Sequence, residues 1–158
     1  MQLHIQVRMQ IRKATIQDAS TIIQNNILLA KESEEETLDQ NIVKNGVENL
    51  FSHPEKGFYM VVTENEQIIG QLMITFEWSD WRNTDIWWIQ SVYVHKQYRK
   101  KGVFSSLFEE IKKQAKNEHI PILRLYVHKD NVSAQAVYEK RKMTKGTYLF
   151  FEIPTNDS

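Results

Sequence analysis

Apolar and polar side chains alternate over residues 3–12 (LHIQVRMQIR), which predicts an opening strand. Thr15-Ile-Gln-Asp18 reads as a capping box. Behind it Ala19, Ile22, Ile23, Ile27 and Ala30 recur at helical spacing. A second helix is expected over about 37–50, with the acidic cluster Glu32-Ser-Glu-Glu-Glu36 between the two helices and facing solvent. Two β-rich runs flank Glu64-Asn-Glu-Gln67 and predict an antiparallel hairpin. Gly70, inside the second run, marks a bulge or a close backbone approach. Residues 78–83 (WSDWRN) read as a loop. The next strand, 86–94, is apolar on both faces except at Gln90 and Ser91, as a central buried strand should be. Val103, Phe104, Leu107, Phe108, Ile111 and Ala115 form a helical stripe. Pro121 opens a buried strand over 122–127, a helix over 132–141 carries Ala134, Val137, Tyr138 and Arg141 on one face, and 147–153 reads as a last strand. The order β-α-α-β-β-β-α-β-α-β describes a mixed α/β domain with a partly antiparallel sheet.

Composition narrows the functional classes. The length, 158 residues, fits one domain, 1–158, with a real core. Twenty basic and twenty acidic side chains cancel, which argues against a general nucleic-acid or membrane binder. No apolar run is long enough to span a bilayer, and the opening MQLHIQVR has no apolar signal core, so a cytoplasmic protein is expected. There is no cysteine, which excludes a disulfide scaffold, a thiolate zinc site and a cysteine nucleophile. The five histidines lack metal-ligand spacing, so no metal is expected.

The most informative junction is the strand ending at Val94, followed by Tyr98-Arg-Lys-Lys-Gly-Val-Phe104 and a helix. A helix N-terminus offers backbone N–H groups and the positive end of a dipole. Gly102 permits a close backbone approach, and Arg99, Lys100 and Lys101 add charge, together a pyrophosphate cradle. The alternative is a basic solvated turn with glycine for geometry. A phosphate-binding Walker loop is excluded, because no G-x-x-x-x-G-K-S/T occurs.

This segment resembles the GNAT superfamily of acyl-CoA-dependent acyltransferases. The family signature Q/R-x-x-G-x-G/A is matched by Arg99 and Gly102, with Phe104 in place of the final small residue. A second signature, N-x-x-A-x-x-x-Y, is matched by Asn131, Ala134 and Tyr138, with Lys142 where the family usually has glycine. The opening IRKATIQDASTI also looks like the family's first strand and helix, so the resemblance runs from about residue 9 to 153. It implies a GNAT-like fold, a mixed and mostly antiparallel twisted sheet flanked by about four helices and splayed between the fourth and fifth strands. It further implies acetyl-CoA as co-substrate, with no metal. Backbone groups of Val92, Tyr93 and Val94 would pair with the pantetheine arm, and those of Arg99, Lys100, Lys101, Gly102, Val103, Phe104 and Ser105 would hold the pyrophosphate.

Acetyl transfer to an amine needs a neutral nucleophile, stabilisation of an oxyanion and a proton for the departing thiolate. The motif points to Tyr138 as acid and cofactor contact, since a phenol titrating near pH ~10 can protonate a thiolate. A backbone N–H around Val92 would serve the oxyanion. Asn131 either orients the loop and contacts the cofactor or simply caps its helix. Glu77, Asp80 and Asp85 are candidate bases, with ordinary loop carboxylates as the alternative; Gln90 and Ser91 are weaker polar candidates. All four tryptophans fall between Trp78 and Trp88. Trp87 or Trp88 suits core packing, while Trp78 and Trp81, with Asp80, could shape an acceptor pocket or a cation–π contact.

The expected function is N-acetylation of a primary amine, on a small molecule or a peptide, by direct attack in a ternary complex. The rivals are a non-catalytic acyl-CoA-binding or sensing domain, and an aromatic-rich peptide or nucleic-acid binder using HKQYRKK. No nucleic-acid or membrane partner is expected, and a homodimer is allowed. In this fold the acceptor side would carry Glu32, Glu34, Glu35, Glu36, Glu77, Asp80 and Asp85, which suits a cationic amine.

Overall fold

The computed structural model describes residues 9–156, so residues 3–8 of the expected first strand lie outside it. The chain divides into two compact units that meet in sequence between Tyr126 and Val127. The first unit runs β1 (Met9–Lys13), α1 (Ala19–Glu34), α2 (Gln40–Ser52), β2 (Gly57–Glu64), β3 (Gln67–Ser79), β4 (Thr84–Val94), α3 (Val103–Asn117) and β5 (Leu123–Arg124). The strands lie in the order β1-β2-β3-β4-β5. The first three pairings are antiparallel, and β4–β5, whose connection passes through α3, is parallel.

Local chemistry sets the helix boundaries. The Asp18 carboxylate accepts the Thr15 N–H at 2.8 Å and takes a two-pronged contact from Arg12 at 2.7 and 2.9 Å. The hydrogen bond from Arg12 holds the Asp18 carboxyl below the usual carboxylate range. A single 3₁₀ turn follows, and then α1. That helix continues to Glu34, so Glu32, Ser33 and Glu34 sit in its last turn and not between the helices. It stops at Glu35, which adopts the left-handed conformation (φ 55°). The second helix starts at Gln40, later than expected, because Asp39 is its N-cap and accepts the N–H groups of Asn41 and Ile42.

Strand alternation sends the two faces of the sheet to two helical layers. Tyr59 and Val61 pack with Ala19, Ile22, Val47 and Leu50 of α1 and α2. Met60, Val62, Leu72 and Ile74 point to the other face and are fully buried. There α3 buries Val103, Leu107, Phe108, Ile111 and Ala115. Full burial of each branched aliphatic side chain contributes about 1.5–3 kcal/mol. Both readings of Gly70 hold. The β2–β3 register shifts beside it, and a Cβ there would lie 2.7 Å from Val103 Cγ1.

The β2–β3 hairpin turns on Asn65 and Glu66, both with positive φ (48° and 68°), the twist-matched geometry for a two-residue loop. Glutamate is a poor residue for that conformation. Glu66→Gly is expected to raise stability by about 0.5–1 kcal/mol, relief of left-handed strain less the glycine's added chain entropy. Urea denaturation checks it: an unchanged or lower midpoint would show the turn to be unstrained.

Three sequence expectations need correction. Trp78 and Ser79 belong to β3 and not to a loop, since they pair with Asp85 and Thr84, which leaves only residues 80–83 as the turn. The strand expected over 122–127 shrinks to Leu123–Arg124. The strand expected over 147–153 does not form. Tyr148, Leu149, Phe150, Phe151 and Ile153 are instead 77–88% exposed. β-propensity measures fit to a pleated, half-buried surface, and this run, which lies in the second unit, has no ladder to provide one. That second unit contains α4 (Val132–Lys140), capped by Asn131.

Candidate functional site

The centre of the first unit's candidate site is an irregularity in β4. Across from it Gln71 pairs with Tyr93 and Met73 with Gln90, so Ser91 and Val92 together oppose Leu72. This is a β-bulge, and Ser91 adopts a left-handed φ of 50°. Backbone parity agrees. Trp87 N–H donates to Ile122 O on the β5 side, whereas His95 N–H donates to Ile69 O on the β3 side. In a regular strand two residues separated by an even count would point the same way. The bulge absorbs the extra residue. Counting back from His95, Val94 and Val92 turn their backbone groups away from β3.

Among the described residues β5 pairs with β4 only at Trp87–Leu123 and Trp88–Arg124, so Ile89–Val94 has no fifth-strand partner there. Pairing between the fourth and fifth strands thus stops short of the bulge, as a splay between them requires.

Under the bulge lies a polar cluster that the sequence reading missed. Gln71 is fully buried and its Nε2 donates to Ser91 O at 3.3 Å and to Asn26 Oδ1 at 2.9 Å. Asn25, also buried, donates to Gln71 Oε1 at 2.9 Å. A signal existed: Gln71 interrupts the apolar run IIGQLMI, and Asn25 sits one helical step from Ile22 on a stripe of apolar residues.

Beyond the strand, the chain passes through a 3₁₀ turn at Lys96–Tyr98 to Lys100 (φ 60°) and Gly102 (φ 81°), the N-cap of α3. Ser106 makes the helix's first backbone bond, N–H to Gly102 O at 3.0 Å, so the turn before it presents backbone amides at the positive end of α3. A Cβ at Gly102 would meet no atom within 4 Å, so glycine is required here by its φ and the space beside it is open.

Arg99 ties this loop back to α1. Its Nε donates to Val94 O at 2.8 Å, and its terminal nitrogen meets Glu32 Oε2 at 2.6 Å. The guanidinium also sits 5.5 Å from the Tyr93 ring centre, and the Tyr93 hydroxyl donates to Glu32 at 3.3 Å. Burial pushes the Tyr93 phenol up, with the Glu32 charge adding to it. His95, edge-on to Tyr93, is pushed below its ordinary value by burial and then by Arg99, so it is neutral at pH 7.

Residues 23–143 match the Acetyltransferase (GNAT) family. The chain belongs to that family. It is 43% identical to a possible acetyltransferase from Clostridium difficile 630, whose crystal structure superposes with a TM-score of 0.89 over 94% of this chain and 99% of that one. A predicted acetyltransferase from Clostridium acetobutylicum, solved with acetyl-CoA, shares the fold at 20% identity, with a TM-score of 0.75 over 92% and 96% of the two chains. The uncharacterized protein YdhI of Bacillus subtilis (strain 168) is 26% identical over 92 residues, 58% of this chain, and the match spans about half (52%) of its own length.

In this GNAT chain the candidate bases and the tryptophans Trp78 and Trp81 lie away from the bulge. Asp85, near the start of β4, is about 20 Å along the strand from Val92, and Asp80 and Trp81 lie beyond it in the β3–β4 turn. Trp81 is 86% exposed and Trp78 is exposed too. Glu77 is paired with Arg124 at 2.9 Å. Trp87 is buried against Phe58 and Phe76, the packing role expected of it, and Trp88 lies 5.8 Å from the Tyr126 ring. Gln90 donates to Thr75 at 2.6 Å. Among the described residues no three His, Asp or Glu side chains converge as a metal ion would need, and no helix is long and apolar enough to cross a membrane.

In the second unit, Asn131 Oδ1 accepts the Ala134 N–H at 3.1 Å, so its capping role is present. Tyr138 is half-buried on α4, and burial raises its phenol above the ordinary value. It therefore carries its proton at neutral pH.

Proposed function

We propose that this chain is a cytoplasmic, acetyl-CoA-dependent N-acetyltransferase that acetylates a cationic primary amine by direct attack. The observation that carries the reading is a β4 edge with no fifth-strand partner at the bulge, among the described residues, joined to a glycine-capped, lysine-flanked helix N-terminus at the same strand–helix junction. These features fit an acyl-CoA. The left-handed Gly102 with open space beside it leaves room for phosphate oxygens, and Lys100 and Lys101 supply charge. The edge groups of Val92 and Val94 suit an extended amide-bearing arm added like a strand.

When bound, acetyl-CoA supplies an activated acyl carbon and a thiolate leaving group. The chain's own groups do the rest. Val92 N–H stabilises the negative charge that develops on the carbonyl oxygen. The amine nitrogen forms its bond to the acyl carbon as the carbon–sulfur bond breaks. Tyr138, assigned by its motif, gives its phenolic proton to the sulfur. The ammonium first loses one proton to water, from which the candidate carboxylates Glu77, Asp80 and Asp85, lying away from the bulge, would take it only through further waters. The nitrogen's second proton, released as the amide forms, reloads Tyr138 through water. Without cysteine, no thiol of the chain can carry the acetyl group, which favours the ternary complex.

The acidic residues support a cationic acceptor. Two of the seven, Glu32 and Glu77, are already matched by arginines, which leaves Glu34, Glu35, Glu36, Asp80 and Asp85 to shape the field. Such a field raises the encounter rate of a cation and weakens as salt screens it. The test is thiol release from acetyl-CoA across cationic, neutral and anionic amines at low and high salt, with calorimetry on CoA; a chain without cysteine contributes no thiol background. The expected result is kcat/KM highest for a cationic amine and falling with salt. CoA binding with no turnover on any amine would favour a sensing domain instead. Preference for an anionic amine would retire the charge argument.

A further inference from the structure

The bulge in β4 is held in place from outside its own ladder. The register shift leaves Ser91 without a β3 partner residue of its own, and a carbonyl shielded from water needs a donor. Gln71 Nε2 provides it, reaching from β3 on the side that faces α1. A glutamine amide can rotate or flip, but here both ends are fixed. Asn25 Nδ2 donates to its oxygen, and its nitrogen donates to Asn26 Oδ1. Three carboxamides, two of them on one turn of α1, thus converge on a single strand carbonyl. Two of them, Gln71 and Asn25, are 0% and 1% exposed. Burying this much amide is costly unless each donor and acceptor is used, and an apolar residue at position 71 would match the core around it. Ser91 explains the cluster: a non-glycine residue in the left-handed region is strained, and the strain persists only where its surroundings over-determine it.

We propose that Gln71, braced by Asn25 and Asn26, is a positioning residue for acyl transfer: by holding the Ser91 carbonyl it keeps the adjacent Val92 N–H aimed out of the sheet at the thioester carbonyl. The inference rests on the acyl-transfer reading above. Gln71 touches no reacting atom and acts through the bulge. A donor displaced by about 1 Å loses on the order of 10²-fold in rate, so the clasp need move very little to matter. All three side chains are neutral carboxamides, so the aim of Val92 is independent of pH across the range in which an amine and its base titrate.

The experiment is infrared difference spectroscopy of the full chain with acetyl-CoA carrying 13C at its carbonyl, alongside calorimetry with CoA. In the wild type the labelled carbonyl band moves to lower frequency on binding, as a hydrogen bond from Val92 polarises it. Gln71→Met keeps the side chain's length and removes the donor. It is expected to bind CoA with unchanged affinity while the carbonyl band returns to its free position. Adding Ser91→Gly, which adopts positive φ without strain, is expected to restore the shift. If Gln71→Met does not fold, Ser91→Val makes the same test at a partly exposed site, because a β-branched residue resists the left-handed region. A variant that binds CoA and retains the full shift overturns the inference, as does a wild type that binds without any shift. A wild type that does not bind CoA overturns both this inference and the acyl-transfer reading, and the calorimetry separates the cases.

Discussion

Gly102→Asp is expected to abolish acyl-CoA binding in a chain that still folds. Two effects act on the protein alone, and they oppose each other. At φ 81° any Cβ is strained, by about 1–2 kcal/mol. Aspartate at a helix N-cap regains part of this, because its carboxylate can accept first-turn N–H groups and lies at the positive end of the dipole. No neighbouring atom lies within 4 Å of the new Cβ, so no packing is lost. The large effect falls on the ligand. A fixed carboxylate would occupy the amides that the pyrophosphate needs and repel its charge at close range. Gly102→Ala separates the contributions, since it carries the strain without the charge and should bind CoA more weakly than wild type but measurably. Isothermal calorimetry with CoA decides the matter. An aspartate variant with wild-type affinity would mean that the α3 N-terminus does not hold the phosphates.

Tyr138→Phe should lower kcat by about 10²–10⁴-fold and leave the KM for acetyl-CoA nearly unchanged. The phenol meets the requirement for an acid, since burial raises its pKa and so keeps the proton in place at neutral pH. Phenylalanine preserves the ring, so the half-buried position on α4 stays filled. The split between kcat and KM is the informative part. A packing residue would lose stability and shift both constants, whereas a lost proton donor leaves the ground state intact. Steady-state kinetics with the best amine from the acceptor screen provide the measurement. Activity within a few-fold of wild type would assign Tyr138 to packing and place the acid elsewhere.

The two variants differ in how far local pattern explains them. Gly102 was legible because a single glycine between a basic run and an apolar helical stripe marks a helix start, and the left-handed φ is what that glycine serves. Tyr138 is singled out only by its spacing from Asn131 and Ala134, because a tyrosine on a helix carries no chemical signal by itself. Asn131 showed the reverse: its capping role followed from residue type and position, and the Ala134 N–H is bound as capping requires.

Short-range periodicity decided most of the elements. The alternation in β2 and β3 and the stripe in α3 are properties of contiguous residues, and each survives folding because the faces they define are those that become buried. The tertiary structure decided the rest, wherever the determining partner is distant in the chain. The carbonyl of the bulged Ser91 is held by Gln71 on β3, which the asparagines of α1 fix in turn, and nothing in the run WWIQSVYV announces this. Arg99 reads as a free phosphate ligand in sequence, but in the fold it is also bound to Glu32, which α1 brings to the loop by extending through Glu34. The run at 147–153 has strand composition without a strand, because a ladder belongs to two segments and one segment cannot supply it. Periodicity is written in neighbouring residues; pairing is written only in the folded chain.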